Sequence, residues 1–107
     1  MENVEIELKP VDFAPPAPPL NLSSFIPADR CVFSFAPAGW SGDWHPSPRK
    51  QILLILIGQI EVEVSDGESR LFGPGSILLS EDTAGKGHRS RVLGNDGSAG
   101  AFVQLRA

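Results

Sequence analysis

A chain of 107 residues with a formal charge of -4 has room for one domain and one buried core, and its acidic balance argues against nucleic acid as a partner. The single cysteine, Cys31, rules out an internal disulfide and a thiolate-rich zinc site, and it is expected as a small buried apolar residue. The longest apolar run, Ile52 to Ile57, falls far short of the roughly 20 residues of a membrane-spanning helix; the acidic start through Glu5 and Glu7 is the reverse of a signal peptide, so a cytoplasmic protein with no membrane partner is expected.

Residues 1–30 read as an extended arm. Val4, Ile6 and Leu8 alternate with Glu5, Glu7 and Lys9, which predicts a short half-exposed strand. Phe13-Ala-Pro15-Pro16-Ala-Pro18-Pro19 follows. Proline lacks the amide donor that a helix or a central strand needs, so this run is expected as a stiff polyproline-type spacer lying across the domain or across a neighbouring subunit.

From residue 31 to 107 the pattern is all-β. Short runs rich in branched or aromatic residues begin at Cys31, Gln51, Ile60, Ser69, Ile77, His88 and Ala101, and turn residues such as Asp66-Gly67 and Gly73-Pro-Gly75 separate them. Glu61-Val62-Glu63-Val64 alternates, so its valines should face a core and its glutamates water. Ile52 to Ile57 does not alternate and is expected to be covered on both faces, the outer one by a partner sheet or a second subunit. Asp66-Gly67 predicts a hairpin between its flanking strands.

Candidate chemistry gathers between residues 39 and 92. Residues two apart on a strand share a face, so Gln51, Leu53 and Ile55 point one way, and so do His88, Ser90 and Val92. Both histidines of the chain, His45 and His88, fall at the ends of such strands. An imidazole suits acid–base work near neutral pH and also ligates transition metals. Glu81, Asp82 and Lys86 precede His88; they are read as a solvated loop tip, or as groups that orient His88 if the loop folds back. Trp40 and Trp44 are candidate walls or lids of a ligand pocket, or packing at its rim. Arg49 shares the parity of Gln51 and could meet an anionic ligand, or else lies outward and solvated, whereas Lys50 should face solvent.

The spacing of Gly39, His45, Gln51 and Gly58, followed by Gly73-Pro74-Gly75-Ser76, Ile77-Leu78-Leu79 and His88, resembles the two motifs of the cupins, a family of small jelly-roll β-barrels. Ser47 stands where the first motif has its second histidine, and Gln51 where it has glutamate. The resemblance covers about half the chain. It implies a cupin jelly-roll barrel preceded by the proline-rich arm, with His45, Gln51 and His88 turned into one cavity above an apolar floor.

That resemblance leaves two functional readings open. One is an enzyme acting on a small organic molecule, with His45 and His88 catalytic and Trp44, Arg49, Gln51 and Trp40 binding the ligand. It would work either through one divalent metal (Zn, Fe, Ni or Cu) on His45, Gln51 and His88, or without metal through histidine acid–base chemistry. The other is a non-catalytic binding or sensing barrel. A small-molecule ligand and a homodimer are the expected partners.

Overall fold

Alternating side chains and proline-bearing turns lay the chain into two sheets. A computed structural model describes residues 2–106, with side chains from residue 4 onward. The described strands are β1 (Glu2–Asn3), β2 (Lys9–Val11), β3 (Leu20–Leu22), β4 (Ala28–Ala36), β5 (Ser41–His45), β6 (Gln51–Ile57), β7 (Gln59–Val64), β8 (Ser69–Phe72), β9 (Ile77–Ser80), β10 (His88–Leu93) and β11 (Ser98–Leu105). No helix occurs among the described residues, and none is long and apolar enough to cross a membrane.

One sheet has five strands in the order β1-β9-β6-β11-β4, the second has four in the order β5-β10-β7-β8, and β2 and β3 pair only with each other. Every pairing is antiparallel. The two larger sheets are not closed into a barrel: among the described residues no ladder joins their outer strands. At each edge the chain crosses between layers through a turn that carries a proline, Pro37 between β4 and β5 and Pro74 between β8 and β9. A residue without an amide hydrogen cannot continue a ladder there.

The core lies between the layers. Leu53 and Ile55 of β6 and Leu78 of β9 meet Val62 of β7 and Phe72 of β8, with Ile60 and Phe102 packed against them. Burying each of these large side chains stabilises the fold by about 1.5–3 kcal/mol. Val62 turns inward as its alternation requires, while Glu61 and Glu63 turn outward and bind Arg91 and Arg89, the residues opposite them on β10. The hairpin joining β7 and β8 forms at Asp66-Gly67, where the Gly67 amide donates to the Val64 carbonyl at 2.9 Å.

Four expectations need correction. Gln51, Leu53 and Ile55 are buried, but the opposite side of β6 is only half covered, and Leu56 and Ile57 are exposed. Cys31 is exposed, because β4 is the edge strand of its sheet and nothing among the described residues packs over that part of it. The segment Val4–Leu8 is not a strand: β1 pairs along the edge of β9, and its last bond runs from the Val4 amide to the carbonyl of Ile77, the first residue of β9. The proline run is the long turn of the β2–β3 hairpin and not an open spacer; Pro10 is accommodated because a two-stranded ribbon leaves an outer edge that needs no donor.

Candidate functional site

The site is assembled where β5 and β10 end side by side. His45 and His88 occupy opposite positions in that ladder, and their rings lie 4.9 Å apart between centroids, tilted by 56°. β5 has no counterpart in the sequence reading, since Ser41-Gly-Asp-Trp-His lacks the branched residues that mark a strand. It holds its place by pairing with β10. Between the pairs Ser90–Gly42 and His88–His45, β5 carries one residue more than β10, a β-bulge at Asp43-Trp44. The bulge brings His45 onto the face of His88 and leaves Trp44 on the outer side, where Lys86 Nζ lies 3.9 Å from its ring centroid and the Arg89 guanidinium 5.1 Å.

Each imidazole is oriented through Nδ1. His45 Nδ1–H donates to the Asp43 carbonyl at 2.7 Å, and a carbonyl can only accept, so the neutral ring is left with Nε2 unprotonated. His88 Nδ1–H donates to Asp82 Oδ2 at 2.7 Å. His88 is buried, 6% exposed, whereas His45 stands exposed at the rim.

The loop from residue 81 to 87 folds back over this end of the molecule. The Ser47 amide donates to the Asp82 carbonyl at 2.9 Å. Asp82 Oδ1 accepts from Ser47 Oγ at 3.0 Å and from Ser80 Oγ at 3.1 Å, and the two hydroxyls also touch each other. Ser47 and Ser80 are buried at 2% and 0% exposure. Burial alone pushes the Asp82 carboxyl up; the hydrogen bonds from His88, Ser47 and Ser80 and the charge of His88 outweigh it and hold the group below its ordinary value of 3.8. Asp82 is therefore an anion fixed behind His88.

Gly87 makes the approach of β10 to β5 possible. Its φ is +75°, and a Cβ there would lie 2.1 Å from the His45 carbonyl oxygen. Any side chain at this position would push the start of β10 away from the His45 backbone.

Gln51 is buried on β6, opposite Ser80 on one side and Gln104 on the other. Its Oε1 accepts from Gln104 Nε2 at 3.1 Å, and Gln104 in turn accepts from Arg30. The side-chain oxygen expected to ligate a metal thus already has a partner. Among the described residues no group of three or more His, Cys, Asp or Glu side chains is placed to hold a metal ion. The histidine pair alone offers two free imidazole nitrogens. Arg49 lies away from the pair: it binds Asp29 and the Leu105 carbonyl, and its guanidinium together with that of Arg106 holds the Asp29 carboxyl below its ordinary range. Trp40 lines the space between the sheets and Trp44 does not.

The sequence reading brought His45, His88 and Gln51 to one end of the molecule. It left Asp82 as one of three loop candidates and did not include Ser80 or Gln104. Ser80 was within reach, because it shares the inward parity of Leu78.

No protein-family model matches the chain, and no curated protein matches its sequence. Among solved structures, the chain is similar to protein NMB1881 from Neisseria meningitidis, with a TM-score of 0.54 and 18% identity over 71% of this chain and 72% of that one. At that identity the likeness concerns the fold, an all-β architecture shared over most of both chains.

Proposed function

We propose that this is a small cytoplasmic protein of the cupin type that binds a small organic molecule between its two sheets and transfers a proton on it through His88. The single observation behind the reading is the Asp82–His88 contact. A buried imidazole whose Nδ1–H is held by an anion has its Nε2 fixed as an acceptor, and the same anion stabilises the imidazolium that forms when Nε2 takes a proton. The exposed His45 takes a second proton from water at its free Nε2 and delivers it on the same side of the ligand, and the proton held on His88 Nε2 returns to water before the next turnover. Asp82 touches no ligand in this scheme; it is a positioning residue. The cupin assignment draws on the Gly39, His45 and Gly58 spacing together with the two-layer β fold.

The test follows deuterium uptake from D2O at carbons next to a carbonyl in a panel of small aldehydes and ketones. The intact protein is expected to accelerate uptake for at least one member, and His88→Ala to lower that rate by about 10²- to 10⁴-fold, the usual contribution of a positioned acid–base group. An unchanged rate in His88→Ala sinks the proposal.

The free Nε2 atoms favour a second reading, in which His45 and His88 hold one divalent metal, with Gln51 as the weak third ligand. Elemental analysis of protein purified without chelator separates the two. Stoichiometric metal that is lost in both His45→Ala and His88→Ala selects the metal site, and its absence selects the proton-transfer reading. In either case we propose that the working form is a homodimer, because exposed apolar side chains occur both on the edge strand β4 and on the β2–β3 hairpin.

A further inference from the structure

The interior between the sheets changes character at one level on three strands at once. On β6 the inward residues run from Gln51 to Leu53 and Ile55, on β10 from His88 to Ser90 and Val92, and on β11 from Gln104 to Phe102. The polar members belong to one end: Ser80, opposite Gln51, shares the Asp82 carboxylate with His88. The next inward residues, Leu53, Ile55, Ser90, Val92 and Phe102, line a cavity of about 220 Å³ closed on one side by Trp40. Successive inward positions on a strand are about 6.5–7 Å apart, so the apolar cavity begins one step from the His88 ring.

No charged side chain lines that cavity. Its polar side chains are three serines and the indole of Trp40, and the Ser98 hydroxyl is bound to the Ile57 carbonyl. Its volume is below the ~300 Å³ of sites that enclose drug-sized molecules and above the roughly 150 Å³ that admits benzene. Trp40 is laid across the cavity by a close approach to the backbone: a Cβ at Gly42 would lie 2.6 Å from its indole ring, and the Trp40 carbonyl accepts from the Val92 amide at 2.9 Å.

We infer that the ligand is a small amphipathic molecule, with a single ring or short branched apolar body under Trp40 and an oxygen-bearing head at His88 Nε2. This rests on the proton-transfer reading above and adds the chemical class of the molecule on which it acts. Sugars and other uniformly polar compounds are disfavoured, because they would bury hydroxyls against Leu53, Ile55 and Val92 without partners.

The probe is benzyl alcohol, with glycerol as the polar control. In a Trp44→Phe protein Trp40 is the sole indole, so its emission reports on the cavity, and the His88 ring nitrogen resonances report on the head. Benzyl alcohol is expected to change Trp40 emission saturably, to bind at least about 10-fold tighter than glycerol as burial of one ring predicts, and to shift the His88 resonances in the same titration. Gly42→Ala, which displaces the indole, should weaken the binding. His88→Ala should keep the Trp40 response at lower affinity, so the inference remains testable if Gly42→Ala fails to fold. No saturable Trp40 response, equal binding of glycerol, or a Trp40 response with unmoved His88 resonances would each overturn it. None of these outcomes bears on proton transfer itself, which stands or falls with the exchange rate of His88→Ala.

Discussion

At the scale of single residues, Asp82 carries the most chemistry in the smallest space. One carboxylate oxygen faces His88 and the other faces two buried hydroxyls. Asp82→Asn keeps the shape and an acceptor for the serines, but turns an amide donor or a weaker acceptor toward His88 Nδ1. The His88 proton is expected to shift toward Nε2, visible in the ring nitrogen spectrum, and proton-transfer activity should fall while the fold persists. Stability should drop by about 1–3 kcal/mol, the scale of one disrupted buried hydrogen-bond set. The pH dependence has a definite sign. The folded-state carboxyl titrates below its ordinary value, so its contribution to stability is complete above about pH 4 and disappears as pH falls through the lower folded-state value. Urea titrations between pH 6 and pH 2.5 should therefore show wild type losing its advantage over Asp82→Asn at the acid end. A constant difference across that range would remove Asp82 from the account. The loop sequence offered Glu81, Asp82 and Lys86 alike as groups that could orient His88; the choice of Asp82 was not legible there, because what fixes it is contact with Ser47, 35 residues away, and with Ser80 at the end of β9.

At the scale of elements, local alternation carried far and tertiary pairing did not. The inward face of β6, the alternation of β7 and β10 and the hairpin at Asp66-Gly67 follow from patterns contained within a few residues, and the structure bears them out; the expected cover of the outer face of β6 does not form among the described residues. β5 and the folded-back loop depend on partners distant in sequence, so nothing nearby announces them. Gly87 is where the two kinds of element meet. Gly87→Ala places a methyl group against the His45 carbonyl at a backbone angle that L-residues avoid. It should destabilise the protein by about 1–3 kcal/mol or more, and it should separate the two imidazoles. Loss of the mutual ring-current shifts of His45 and His88 in proton spectra, at a temperature where the variant remains folded, is the expected signature. Unaltered shifts would show that the close approach is dispensable.

For the whole molecule, the apolar residues left on the outside matter more than those inside. Phe33 and Phe35 on β4 are 77% and 66% exposed, and Leu8, Phe13 and Leu20 of the arm are more than half exposed. The exposure of Cys31 has the same origin: the run Cys31-Val-Phe-Ser-Phe carries the composition of a covered strand, and a single chain supplies no cover. In the proposed homodimer a second copy would supply that cover, with the hairpin of each chain placed on the sheet of the other. Sedimentation at micromolar concentration is expected to return twice the mass of the chain, and Phe33→Glu to return the monomer mass. A monomeric wild type would contradict the proposal.

The bulge at Asp43-Trp44 has a consequence for how this site tolerates changes of length. Gly42 and His45 are an odd number of residues apart, yet both face inward, because β5 contains one residue that the ladder does not count. Deleting Trp44 would restore ordinary alternation and still leave His45 beside His88. Inserting one residue would carry His45 to the outer surface. The strand thus holds a one-residue slack in a single direction, and a chain shorter by one at this point can keep the same pair of imidazoles facing the same space.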